Sequence, residues 1–180
     1  MRQKNILIGL SLLFIIPSCR PKKNQSSAVQ DKVTNAASTK ILQKGMKAPD
    51  FSGVTQDQTI ISSKDYHGKK YVLFFYPKAN TIGCTAEACN LRDNYEALKA
   101  KEYEIIGVSA DSPEEQKKWT DEYQLPFPLI ADENKEIIKA FGVGGTYGIH
   151  RTTFVINEKG MIEKVITSVK VKEHAAQILE

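Results

Sequence analysis

Six apolar residues in a row, Tyr71 to Tyr76 (YVLFFY), stop at Pro77. A run with no polar alternation fits a strand buried on both faces, and such strands belong to parallel sheets covered by helices on each side. The remainder of the chain must then supply two helical layers and more strands. A helical pattern follows from about Gly83 to Ala100, with Ala88, Leu91, Tyr95 and Leu98 on one stripe. YEIIGVSA (Tyr103 to Ala110) reads as the next buried strand. DSPEE opens a helix, with Asp111 or Ser112 as its cap and Pro113 in its first turn. FPLIA (Phe127 to Ala131) is a further strand, and Asp132 caps a short helix through Ala140. TTFVIN and MIEKVI form a hairpin about Glu158-Lys159-Gly160, and KEHAAQILE closes as a helix. The order β-α-β-α-β-α-β-β-α predicts an α/β domain whose central mixed sheet is flanked by helices.

Cys84 and Cys89 follow the end of the first buried strand. In open α/β sheets, function lies beyond the carboxyl ends of the strands. Cys84 falls at a helix start, where unpaired N–H groups and the helix dipole favour a thiolate, the nucleophilic form. Cys89 falls within the helix. Five helical residues advance ~7.5 Å and turn ~500°, which points the side chains ~140° apart. Their Cα separation then exceeds the ~7 Å that a disulfide allows. Either no disulfide forms, or the first turns of the helix unwind. A structural staple that destroys its own helix makes little sense; a redox relay does not have that objection.

The front of the chain is different. Arg2 and Lys4 precede an apolar run from Ile6 to Ile16, which ends in Pro17-Ser18-Cys19. The run is shorter than the ~20 residues that span a bilayer and has the size of a signal-peptide core. Ile16-Pro17-Ser18-Cys19 resembles the lipobox of bacterial lipoproteins. That resemblance implies a signal over residues 1–18, lipidation of Cys19 and a cell-envelope location, on the periplasmic face of the outer membrane given Arg20. Residues 20–40 are poor in apolar side chains and read as a flexible tether that spans ~25 Å. Residues 1–40 hold seven of the 25 Lys/Arg and one of the 21 Asp/Glu, which leaves 18 bases against 20 acids in residues 41–180. The net charge of +4 therefore belongs to the leader and tether. No basic face is left to the domain, and nucleic acid is not expected as a partner.

The predicted order is that of the thioredoxin-like fold with one additional βα insertion. Pro77-x3-Thr81-x2-Cys84 resembles the P-x3-T-x2-C signature of peroxiredoxins, and Cys89 stands at the resolving position of their Q type, the bacterioferritin-comigratory proteins. The likeness runs from about Gly45 to Leu179 and takes in GMKAPDF, FFYPKANTIGCTAEACNLRDNY, GVSADSPEEQKKW, LPFPLIAD and GIHRTTFVIN. Ile82 departs from the pattern, where proline is usual. The resemblance implies a thiol-dependent, antioxidant peroxidase acting on hydrogen peroxide and organic hydroperoxides. Cys84 would be the peroxidatic cysteine, oxidised to a sulfenic acid, and Cys89 the resolving one. Thr81 would bond the peroxide, Pro77 would shield the site from water, and Arg151 would stabilise the thiolate and the leaving oxygen. A thioredoxin-like dithiol would reduce the intramolecular disulfide, and the protein would act as a monomer without cofactor or metal.

His67, His150 and His174 are scattered, with no acid or cysteine at ligand spacing, and read as surface or packing residues. GVGGTYG (Gly142 to Gly148) lies between a helix and a strand, the reverse of a phosphate cradle, and reads as a flexible loop rimming the active site. Trp119 reads as packing. Two alternatives stand beside the peroxidase. A membrane-tethered thioredoxin-like thiol–disulfide oxidoreductase would carry C-x-x-C and a cis-proline where Arg151 stands. A surface lipoprotein using the fold as a binding module would have no need of the set Pro77, Thr81, Cys84 and Arg151.

Overall fold

The computed structural model describes residues 41–180. The expected signal, Cys19 and the tether lie outside the described residues. The strands are β1 (Ser52–Val54), β2 (Ile60–Ser62), β3 (Lys70–Phe75), β4 (Tyr103–Ser109), β5 (Leu129–Ala131), β6 (Gly144–Gly145), β7 (Gly148–Ile149), β8 (Thr152–Ile156) and β9 (Ile162–Ile166). The helices are α1 (Ile82–Asp93), α2 (Tyr95–Ala100), α3 (Pro113–Tyr123), α4 (Glu136–Ala140) and α5 (His174–Leu179).

Five strands form the central sheet in the order β5-β4-β3-β8-β9. β3, β4 and β5 run parallel, β8 runs antiparallel to β3, and β9 runs antiparallel to β8. This is the mixed sheet expected, and β3 lies at its centre for the reason its sequence implies. Val72, Phe74 and Tyr76 point into one core, with Ala88, Leu91, Leu98, Trp119 and Ile178 from α1, α2, α3 and α5. Tyr71, Leu73 and Phe75 point into a second, with Ile106, Ile138, Phe141 and Phe154. Each face is roofed by apolar side chains, so none of the residues from Tyr71 to Phe75 meets water and no alternation is possible there.

Three features differ from the expectation. The helix over 83–100 is two helices, α1 and α2. Asn94 Nδ2 donates to the Asn90 carbonyl at 2.8 Å, and Asn94 itself leaves helical geometry. A side chain that bonds nearby backbone competes with the helical ladder, which explains the break. The hairpin β1–β2 was not foreseen. GVGGTYG is no open loop: Gly144–Gly145 and Gly148–Ile149 pair as a small hairpin leading into Arg151. Gly145 lies so close to His150 that an added Cβ would stand 2.4 Å from the ring Nε2.

The segment preceding β3 seals parts of the sheet margin. Thr55 bridges Ile130 of β5, the Gln56 N–H donates to the Leu129 carbonyl, and the Leu129 N–H donates to Gln56 Oε1 at 2.7 Å. At the opposite margin the Gly45 N–H donates to the Ile162 carbonyl and the Ile162 N–H to the Met46 carbonyl.

Candidate active site

The site forms where β3 ends and β8 begins. These strands are antiparallel neighbours with Phe75 opposite Thr152. The register sets the residue after β3 opposite the residue before β8, which brings Arg151 beside the loop that Pro77 opens. That loop is anchored through Asp111, just beyond β4. The Ala79 N–H donates to Asp111 Oδ2 at 2.7 Å, and Lys78 Nζ lies 3.1 Å from Oδ1. Ser109 Oγ donates to Oδ2 at 2.8 Å. Asn80 takes a left-handed backbone (φ 54°), a conformation its short polar side chain tolerates. Asp111 thus belongs to the loop, while the cap of α3 is Ser112, whose hydroxyl accepts from the Glu115 N–H.

Thr81 precedes α1, and its hydroxyl donates to the Lys78 carbonyl at 3.0 Å instead of capping the helix. The first-turn N–H groups of a helix have no partner within it and favour an anion there. Cys84 is the third residue of α1. Ile82, where proline is usual in the resembling family, is the first helical residue and is 95% exposed. Proline suits that position because its φ is preset, so Ile82 gives up some rigidity without losing a hydrogen bond. Pro77 is itself exposed, and Cys84 is covered instead by core neighbours that include Tyr76, Ala79 and Ala88.

Both cysteines are free; Cys84 is buried and Cys89 half-buried. Burial alone fits an inert packing thiol. The guanidinium decides otherwise: Arg151 Nη2 lies 3.2 Å from Cys84 Sγ. A charged donor aimed at sulfur stabilises a thiolate and has no use against a packing thiol. Arg151 Nη1 bonds Glu87 Oε2. Burial on its own would lower the Arg151 pKa, but the Glu87 charge and the Cys84 sulfur outweigh it and hold the group above the ordinary arginine value. The guanidinium therefore keeps its charge at every working pH.

Sequence reasoning missed Glu87, Asp111 and His174. Glu87 carries a signal, being a carboxylate on the buried stripe of Cys84, Ala88 and Leu91, one turn after Cys84. His174 carries none, because its contacts are distant in sequence. It is completely buried, with Nδ1 3.1 Å from Glu87 Oε1, which matches the packing reading. His67 and His150 are exposed. Trp119 is buried as expected, and its Nε1 donates to Thr85 Oγ1 beside Cys84.

A family model described as the AhpC/TSA family matches residues 44–165. The chain belongs to the AhpC/TSA family. This AhpC/TSA chain is 41% identical over 144 residues to peroxiredoxin Bcp of Bacillus subtilis, covering 76% of this chain and 92% of the relative. It is 38% identical over 146 residues to peroxiredoxin Bcp of Escherichia coli, covering 77% and 94%. Among solved structures it is similar to peroxidoxin BcpB from Mycobacterium tuberculosis, with a TM-score of 0.72, 31% identity, and 77% and 94% of the two chains covered. A PrxQ mutant from Xylella fastidiosa matches with a TM-score of 0.74 and 27% identity, covering 78% and 94%. The AhpC/TSA fold is thioredoxin-like, as the element order implies. The protein is a thiol-dependent peroxidase of the Bcp/PrxQ group, and the thiol–disulfide oxidoreductase alternative falls away.

Proposed function

We propose that Cys84 is the peroxidatic thiol and Cys89 the resolving one. The observation that carries this is the Arg151 guanidinium 3.2 Å from Cys84 Sγ at a helix start. The Cys84 thiolate attacks one peroxide oxygen: an S–O bond forms, the O–O bond breaks, and the leaving oxygen takes a proton to become water or an alcohol. Arg151 offsets the charge that grows on that oxygen, and Thr81 turns its hydroxyl from the Lys78 carbonyl to the peroxide. The sulfenic acid is the first rung of thiol oxidation. Cys89 then attacks the Cys84 sulfur, an S–S bond forms, and water leaves. Because both cysteines lie on α1, this second step requires the helix to unwind locally.

A thioredoxin-like dithiol returns the disulfide to two thiols by exchange. The pairing is within one chain, and the protein works as a monomer. Cys19 carries lipid, and the tether holds the domain at the outer-membrane surface facing the periplasm. A diacylglyceryl-plus-acyl group on Cys19 puts several chains into the bilayer, which gives stable attachment.

The test uses the full chain, fully reduced, mixed with equimolar hydrogen peroxide. Trp119, the one tryptophan, reports α1 through Thr85. Rapid oxidation to one intramolecular disulfide is expected, abolished in Cys84→Ser and stopped at the sulfenic acid in Cys89→Ser. Oxidation at the pace of an ordinary thiol in the wild type overturns the assignment. Metabolic labelling with palmitate, lost in Cys19→Ser, checks the anchor.

A further inference from the structure

α5 has no cap of its own: Glu173 stands before its first residue and makes no side-chain cap bond. The Ala175 N–H is one of the first-turn donors that a helix leaves unpaired. It is met from another helix, donating to Asn90 Oδ1 of α1 at 2.8 Å. Asn90 Nδ2 donates to the Lys172 carbonyl, also at 2.8 Å, in the turn that leads into α5. One amide thus spends its acceptor and a donor on the far end of the chain. Two residues on, Arg92 Nη1 donates to the Tyr123 carbonyl at the end of α3 at 2.7 Å. Side-chain bonds therefore bolt the rear of α1 to both neighbouring helices.

The front of α1 is held differently. Thr81 makes no cap bond, and Ile82 stands out in solvent. The side-chain ties of this half run from Arg151 to Cys84 and Glu87, and from Trp119 to Thr85. Cys89 stands where the two halves meet, directly before Asn90. Bringing Cys84 and Cys89 within disulfide range opens the helix up to this point. The backbone of Asn90 then shifts, and its two amide bonds go with it. The Ala175 N–H, on a buried residue, is left without an acceptor, which costs more than the bond itself contributed. Asn90 therefore resists the opening.

Resting on the assignment of Cys84 and Cys89 as peroxidatic and resolving thiols, we infer that Asn90 is a positioning residue of the resolving step: its amide latches the turn of Cys89 to the start of α5, and release of that latch sets how fast Cys89 reaches the Cys84 sulfenic acid. Asn90 acts through the backbone it shares with Cys89. The longer the latch holds, the longer the sulfenic acid is open to a second peroxide. In that reaction the sulfur gains a second oxygen, the O–O bond breaks and water leaves, giving the sulfinic acid.

The experiment mixes the reduced full chain with hydrogen peroxide, wild type against Asn90→Ala, with exposed Asn134→Ala as control. Rapid mixing and intact mass follow the sulfenic acid, the disulfide and, at excess peroxide, the sulfinic acid. Asn90→Ala is expected to form the sulfenic acid at the wild-type rate and to close the disulfide about tenfold faster, the worth of the two lost amide bonds. Its yield of sulfinic acid should fall accordingly. A residue that only caps α5 would lower the melting temperature and leave both rates where they were. An unchanged or slower closure overturns the inference. Hydrogen exchange in the wild type gives a second reading: the Ala175 amide should exchange faster in the disulfide form than in the reduced form. Equal protection overturns the inference even if Asn90→Ala does not fold. A wild type that reacts at the pace of an ordinary thiol, or that forms no intramolecular disulfide, defeats the underlying assignment instead, before any Asn90 variant is compared.

Discussion

Arg151 divides its nitrogens between a sulfur and a carboxylate, a geometry only a planar fork can satisfy. Lysine offers one point charge on a flexible stem and must choose between them. Arg151→Lys is expected to lower the rate of Cys84 oxidation by about 10²–10³, the usual loss when one stabilising donor leaves an active site. Because Glu87 is completely buried, a lysine that leaves it unpaired also lowers the melting temperature; rapid-mixing kinetics and thermal denaturation read the two effects separately. The placement of Thr81, Cys84 and Cys89 about the start of α1, with Arg151 beside Cys84, was legible in the sequence, because the P-x3-T-x2-C motif is local and Arg151 directly precedes a readable strand. Glu87 was half-legible, as a charge on an otherwise apolar stripe. His174 was not, since only the packing of α5 on α1 reveals what its ring faces.

Among the elements, the strands and helices of the central layers were readable, down to the short β5, and the two small hairpins β1–β2 and β6–β7 were not. β1, β6 and their partners have two or three residues each, too few for alternation to register. β4 shows how packing fixes a single residue. A Cβ on Gly107 would stand 2.6 Å from Leu129 Cδ2 and 2.8 Å from Phe74 Cζ. Gly107→Ala should cost about 1–3 kcal/mol through overpacking, read as a lower urea midpoint. The start of α3 makes a second case. Ser112 and Glu115 form a reciprocal capping box, and Ser112→Ala should cost about 1 kcal/mol. The Ser112 N–H, foremost, and Lys78 hold the Glu115 carboxyl below the ordinary glutamate value. A lowered acid stabilises the fold when ionised. Its contribution is therefore present above the ordinary glutamate range and fades as pH falls through the lowered folded value. Acid titration of unfolding should show a smaller loss in Glu115→Gln than in wild type.

For the whole molecule, the proposed relay places the redox change on one helix, α1, which holds both Cys84 and Cys89. α1 is tied to α5 through Asn90 and through Glu87 with His174. Unwinding α1 to join Cys84 and Cys89 must loosen those ties, so the oxidised protein is expected to lose far-ultraviolet helical signal and to melt at a lower temperature than the reduced one. Equal spectra and equal melting would mean that the disulfide forms without unwinding.

The early segment that pairs with β5 and with the first residue of β9 has a consequence for crowding. Bare strand margins are templates on which a second chain can add its own strand. Here Thr55 and Gln56 occupy the β5 side, and Gly45 and Met46 occupy one end of the β9 side. In the proposed relay, apolar side chains that α1 exposes on opening have fewer unpaired backbone groups nearby to zip onto. The proposed opening of α1 would thus occur in a molecule whose strand margins are already partly occupied.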